Sequence, residues 1–98
     1  MNKKNYISLA SKAARTQIKE LSKIKKVFQT QILIKFVSKL NCKGKVIFAG
    51  IGKSGLIAKK ISATFSSVGI PSFFCDPAQA LHGDMGQIER KDLLIIFS

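Results

Sequence analysis

The sequence predicts an α/β protein: a parallel sheet of about three strands, preceded by N-terminal helices. Three observations predict it. Residues 5–41 contain neither Gly nor Pro and repeat their apolar side chains at helical spacing. From residue 45 onward, short runs of β-forming residues alternate with a second stretch of helical spacing. Glycine or proline stands near each change of pattern, where a chain turns most easily. With 98 residues, 46% of them apolar, the chain holds one domain or part of one and is not composed like a disordered segment.

The elements follow in order. Ala14, Ile18, Leu21, Ile24, Phe28, Ile32, Phe36 and Leu40 step by three or four residues, which makes one apolar stripe. Lysines 12, 19, 23, 26, 35 and 39 lie largely off it. The spacing fits one long helix, or two with a break between residues 20 and 30, and Gly44 is its expected stop. Lys45-Val-Ile-Phe-Ala-Gly50 reads as a buried strand. Ser54–Val68 returns to helix spacing and is closed by Gly69-Ile70-Pro71. Ser72–Cys75 is a second short strand. Asp76 then caps a short helix with Pro77 at its first position. His82–Gly86 reads as a loop, and Asp92–Phe97 as a third buried strand.

The net charge of +12 is concentrated in residues 1–45, which carry twelve basic residues against Glu20 alone. Such a segment suits nucleic acid or an anionic surface. It equally suits a solvated helix face in a Lys- and Ile-rich composition, and the second reading is preferred, so nucleic acid is not an expected partner. Two cysteines make no disulfide framework, and no signal peptide precedes them, so a cytoplasmic address is expected. The longest apolar run, Leu93–Phe97, is far short of the roughly eighteen residues of a membrane span.

The densest motif is Gly50-Ile-Gly52-Lys53-Ser54-Gly55, between a strand and a helix. Glycines allow a tight turn and close backbone approach, the helix N-terminus offers N–H groups to an anion, and Lys53 adds a full charge. Ser54 can cap the helix or bond a phosphate oxygen. A turn needed only for strand–helix packing is the alternative. A Walker A loop fails, because Ile47 stands where its first glycine belongs. A dinucleotide fingerprint is met by Gly50, Gly52 and Gly55, with Asp76 as the acidic residue after the second strand. A sugar-phosphate site is the third reading. Asp76 and His82, the only histidine, follow the second strand and belong at the same sheet edge. Together they are two candidate zinc ligands, where three or four are usual.

Residues 44–98 resemble, in order and without obvious gaps, the sugar isomerase (SIS) domain of the arabinose-5-phosphate isomerases. Gly52–Gly55, Gly69–Pro71 and Pro77–Gly86 carry the resemblance. It implies a flavodoxin-like sheet, a basic helical segment at 1–43 and the first part of the domain at 44–98. It also implies a phosphorylated pentose as ligand, with interconversion of ribulose 5-phosphate and arabinose 5-phosphate in lipopolysaccharide synthesis. Lys53 matches the family's active-site lysine. Gly52, Ser54, Gly69, Ile70 and His82 fall at substrate-binding positions. Asp76 stands where the family has a metal-binding histidine, which makes zinc a possible but unsecured cofactor.

The family continues beyond the third strand into a serine-rich phosphate loop, further catalytic residues and two CBS repeats. The sequence to Ser98 does not contain these. No retained glutamate carries a motif that marks it as general base. The expectation is a sugar-phosphate-binding part of an isomerase without useful turnover by itself, arising from a truncated frame, a decayed gene or a split protein. A homo-oligomer or a downstream half are the partners it suggests.

Overall fold

The computed structural model describes residues 2–98. Two compact units divide the chain, the first ending at Val37 and the second running Ser38–Ser98. In the first, α1 spans Lys3–Ser22, and Asn2 caps it by accepting from the Asn5 amide at 3.0 Å. A short α2 follows at Ile24–Val27, and α3 covers Gln31–Leu40 across the division. The helical stretch is therefore broken, at Lys23 and again at 28–30. At the second break the Thr30 hydroxyl donates to the Val27 carbonyl at 2.8 Å, a local bond that competes with helix continuation.

The second unit carries the sheet. Strand β1 (Val46–Gly50) leads into α4 (Gly52–Ser67), β2 (Ser72–Cys75), α5 (Pro77–Ala80), a 3-10 turn at Asp84–Gln87 and β3 (Leu93–Phe97). All pairings are parallel, in the order β2-β1-β3. Val46 stands opposite both Ser72 and Leu93, and the register continues residue by residue. The central strand is buried along its whole length. That explains its unbroken apolar run, since a strand covered on both faces has no solvent side.

Alternation divides the core. Val46 and Phe48 face α4 and meet Ala58, with Ile61, Phe65, Phe74, Leu93 and Ile95 around them. Phe48 sits edge-on to Phe65, centroids 5.0 Å apart and planes at 83°, and stacks on Phe97 at 6.1 Å. On the other face Ile47, Ala49 and Cys75 pack with Phe73, Ala80 and Ile88. At the amino end of the sheet Asp92 ties the strands together. Its carboxylate accepts from the amides of Lys45 at 2.8 Å and Glu89 at 2.7 Å, with the Lys45 ammonium at 3.3 Å.

Several local expectations are corrected. Gly44 does not stop a helix, for α3 ends at Leu40. The Gly44 amide donates to the Lys91 carbonyl at 3.1 Å, and a Cβ there would collide with the Asp92 carboxylate. Its smallness serves the close approach of the segment entering β1 to the one entering β3. Ser54 does not cap α4, because the helix begins two residues earlier, with Ile51 at the cap position. The 82–86 loop winds into one 3-10 turn from Asp84. Asp76 caps α5 as expected, accepting from the Ala78 amide at 2.9 Å.

Candidate functional site

The order β2-β1-β3 sends the connections after β1 and after β2 to opposite sides of the central strand. Open α/β sheets of this order bind their ligands where the winding reverses, beyond the carboxyl ends of the strands. The segment that leaves β1 at that point is Gly50–Gly55. The order also differs from the 3-2-1 half of a dinucleotide-binding fold, in which the second strand is central. The dinucleotide reading of Gly50, Gly52, Gly55 and Asp76 therefore lacks its topology.

The three glycines of the turn do different work. A Cβ on Gly55 would lie 2.6 Å from the Gly50 carbonyl oxygen, and one on Gly50 would lie 2.9 Å from the Ser54 carbonyl carbon. Helix and strand touch backbone to backbone there. Gly52 has open space around it, but its φ of +62° is a conformation that L side chains rarely adopt. Ile51 makes no side-chain capping bond, and the first turn of α4 contains no acidic residue. The amides of Gly52, Lys53 and Ser54 precede the first backbone bond of the helix, from the Gly55 amide to the Ile51 carbonyl at 3.3 Å. Uncapped amides at the positive end of a sixteen-residue helix favour an anion. Lys53 is exposed and enters no ion pair among the described residues.

Two cavities flank the turn. One, of about 290 Å³, is lined by Gly52, Gly55 and Lys59 of α4 together with Phe74 and Asp76 at the end of β2. The other, of about 470 Å³, lies between the ends of β1 and β3 and is nearly all apolar apart from Ser54 and Ser98. The larger lies in the crevice between β1 and β3, where sheets of this order take their ligands, whereas an ammonium and a carboxylate face the smaller. Lys59 was not singled out from the sequence. Its spacing from Gly52, Gly55 and Leu56 is the signal, because positions i, i+3, i+4 and i+7 share a helix face.

Gly52, Lys53 and Ser54 follow the carboxyl end of β1 and Asp76 that of β2, whereas His82 comes after α5. Lys53 and His82 are exposed and line neither cavity. Gly69 and Ile70 are placed elsewhere. They precede β2 at the amino-terminal edge, where Ile70 packs against the core and its amide donates to the Phe65 carbonyl at 3.0 Å.

Cys75, Asp92, Glu89 and Glu20 are engaged by their surroundings. The Cys75 thiol is buried, and burial pushes its pKa up, helped by the carboxylates of Asp84 and Asp76, so it stays protonated. Bonds from the Glu89 and Lys45 amides hold Asp92 below the usual carboxylate range. Glu89 lies 3.7 Å from the Lys45 ammonium and 3.5 Å from that of Lys91, and Glu20 pairs with Lys23 at 2.9 Å. For zinc the donor set falls short. Among the described residues no three of His, Cys, Asp and Glu come together, and one Asp76 oxygen is committed to capping α5.

Comparison with known proteins shows the family and the fold. The family model described as SIS domain matches residues 39–98. Arabinose 5-phosphate isomerase GutQ of Escherichia coli K12 is 58% identical over 59 residues, which is 60% of this chain and 18% of that protein. Arabinose 5-phosphate isomerase KpsF of Escherichia coli is 48% identical over 91 residues, 93% of this chain and 27% of that one. A solved structure of an E. coli CFT073 protein in complex with arabinose 5-phosphate superposes with a TM-score of 0.79 at 38% identity, covering 100% of this chain and 52% of its own. The chain thus spans about a fifth to a quarter of the curated relatives it matches. Among the described residues no helix is long and apolar enough to cross a membrane.

Proposed function

The chain belongs to the SIS domain family, and from that premise we propose that it supplies the phosphosugar-binding edge of an arabinose 5-phosphate isomerase. The observation that carries the reading is the uncapped start of α4 at the point where the winding reverses, with Lys53 in its first turn. Relatives named arabinose 5-phosphate isomerase, and a solved neighbour in complex with arabinose 5-phosphate, support a phosphorylated pentose as the ligand.

The isomerisation moves one proton between carbons and one between oxygens. A base removes the proton from the carbon beside the aldehyde, the C–H electrons form a C=C bond, and the carbonyl oxygen becomes an enediolate oxygen that takes up a proton. Loss of the proton from the neighbouring hydroxyl then forms the ketone C=O while the C=C electrons take a proton at the former aldehyde carbon, which gives the ketose. An ammonium beside that oxygen lowers the barrier because charge develops there only in the transition state. In this reading Lys53 holds the developing oxyanion or orients the sugar. The amides of Gly52 and Ser54 receive anionic oxygen, and His82 bonds a hydroxyl. Gly69 and Ile70, at the far sheet edge, lie apart from this turn and are not given a sugar contact.

The base is the weak point of this chain taken by itself. Glu89 and Glu20 are both engaged by lysines. Absence of a positioned base removes a factor of about 10² to 10⁴. Binding without useful turnover is the expected behaviour.

Titration of arabinose 5-phosphate into the purified chain, followed by ligand-observed NMR, tests the reading. Lys53→Ala should weaken binding by about tenfold or more, the worth of one charge-assisted hydrogen bond. Lys91→Ala, at the opposite sheet edge, should leave it unchanged. Equal binding by the Lys53 variant would remove the site from this turn. Rapid conversion of ribulose 5-phosphate by the chain alone would show that a base had been overlooked.

A further inference from the structure

We propose that Lys59 and Asp76 form a hydroxyl-reading subsite beside the Gly50–Gly55 turn, by which the chain selects a phosphorylated polyol over a bare phosphate monoester. The proposal rests on the phosphosugar reading and names the residues that tell its ligand from other phosphates.

The two side chains reach one cavity from different elements. Lys59 belongs to α4 and lies about two turns, or about 10 Å along the axis, beyond Gly52. Helical side chains lean toward the N-terminus of their helix, which inclines this lysine toward the turn. Asp76 leaves the carboxyl end of β2. Both line the cavity of about 290 Å³ together with Gly52, and Phe74 and Leu56 give it an apolar wall. Ligand sites usually measure about 300–1,000 Å³, so this one admits part of a small molecule. Neither charged group is spent on the fold. Lys59 is exposed and enters no hydrogen bond or ion pair among the described residues. Asp76 gives one oxygen to the Ala78 amide at 2.9 Å, and its other oxygen accepts no bond among the described residues. The two form no ion pair with each other.

Opposite charges that share a cavity without touching are bridged by a group that both accepts and donates. A hydroxyl does this, accepting from the ammonium and donating to the carboxylate. A fully ionised phosphate has no proton to give and is repelled by Asp76, while an ammonium has no lone pair to offer Lys59. The occupant is therefore a hydroxyl on a molecule whose anionic end lies outside the cavity. The uncapped amides at the start of α4 are the place for that end. Gly50 and Ile51 line this cavity and the larger crevice alike, so a ligand seated at the turn reaches both.

The test is NMR titration of the full chain at neutral pH with two ligands, arabinose 5-phosphate and methyl phosphate, which carries the anion and no hydroxyl. The parent should prefer the sugar by about fivefold or more. Asp76→Asn keeps the α5 cap, since asparagine caps as well as aspartate, but turns an amide donor toward the cavity in place of an acceptor. It should weaken arabinose 5-phosphate by about fivefold or more, and leave methyl phosphate bound as tightly or more tightly because a negative charge has gone. A carboxylate acting through its charge alone requires the reverse for the sugar, so tighter binding of both ligands by Asp76→Asn would overturn the proposal. Lys59→Met should bring the two affinities together, and an undiminished preference for the sugar would overturn it as well. Lys53→Ala, in the turn, should weaken both ligands alike. A parent that binds the two phosphates equally would overturn the subsite and spare the turn, whereas a parent that binds neither would overturn both. Chelation with EDTA should change neither affinity. Sugar binding lost on chelation and restored by zinc would assign Asp76 to a metal and overturn the proposal.

Discussion

Replacing Gly55 by alanine places a methyl group where α4 and β1 meet. The new Cβ would lie 2.6 Å from the Gly50 oxygen and 3.1 Å from the Gly50 carbonyl carbon. The first distance is about 0.8 Å short of an ordinary 3.4 Å contact, and both partners are backbone atoms that cannot rotate aside. The helix must therefore move away from the central strand. Overpacking of this kind costs about 1–3 kcal/mol. Alanine regains up to about 1 kcal/mol through helix propensity, less than usual in a first turn. The net expectation is a loss of about 1–2 kcal/mol. Gly86→Ala is the control, since its φ is not positive and its Cβ would meet nothing within 4 Å. It should be neutral or stabilising by up to about 1 kcal/mol. At roughly 4–8 °C per kcal/mol for a domain of this size, a gap of about 1–3 kcal/mol should make the two variants melt about 4–24 °C apart. Thermal and urea unfolding followed by circular dichroism give both numbers. A Gly55→Ala protein as stable as the Gly86→Ala protein would show that the close approach does not limit the fold.

Other parts of the second unit yield three more expectations. Phe48→Ala removes a buried ring held between Phe65 and Phe97 and should lower stability by about 3–5 kcal/mol, enough to abolish the cooperative urea transition of a marginal domain. For Asp92 the folded pKa lies below the unfolded one, so its stabilisation is present above the unfolded value near 4 and fades as pH falls through the folded value. The stability gap between the parent and Asp92→Asn should accordingly be constant from neutral pH down to about pH 5 and close below about pH 4. Iodoacetamide at neutral pH should label Cys42, which is only half-buried, before Cys75, whose buried thiol resists ionisation. Peptide mass spectrometry over a time course reads the order, and equal rates would contradict the burial of Cys75.

Much of the second unit was legible in the sequence because its signals are local. Val46–Gly50 and Leu93–Phe97 are short apolar runs bounded by turn residues, and Asp76 before Pro77 marks a helix start unambiguously. Gly44 misled for a physical reason. A glycine after a helix and a glycine where two chain segments touch look alike until the partner segment, here Lys91 and Asp92, is in place. Ser54 misled similarly. The Gly55 amide already bonds the Ile51 carbonyl, so the helix starts before the serine and leaves it past the cap position. Spacing along one chain also says nothing about which sheet edge a loop occupies. That is why Gly69 and Ile70, grouped with Lys53 by resemblance, lie at the other edge.

The six residues Gly50–Gly55 pose the question of whether the motif exists for packing or for a ligand, and the geometry answers residue by residue. Gly50 and Gly55 are accounted for by the contact between strand and helix. Gly52 is accounted for by its backbone angle. Lys53 is accounted for by neither. A packing turn would accept almost any residue at that exposed position, and a lysine is among the poorer choices, because it sets a positive charge against the positive end of α4. No carboxylate among the described residues pairs with it to offset that repulsion. A cation placed against a like-signed dipole end makes physical sense when an anion is shared between them. The lysine therefore discriminates between the two readings, and the glycines do not.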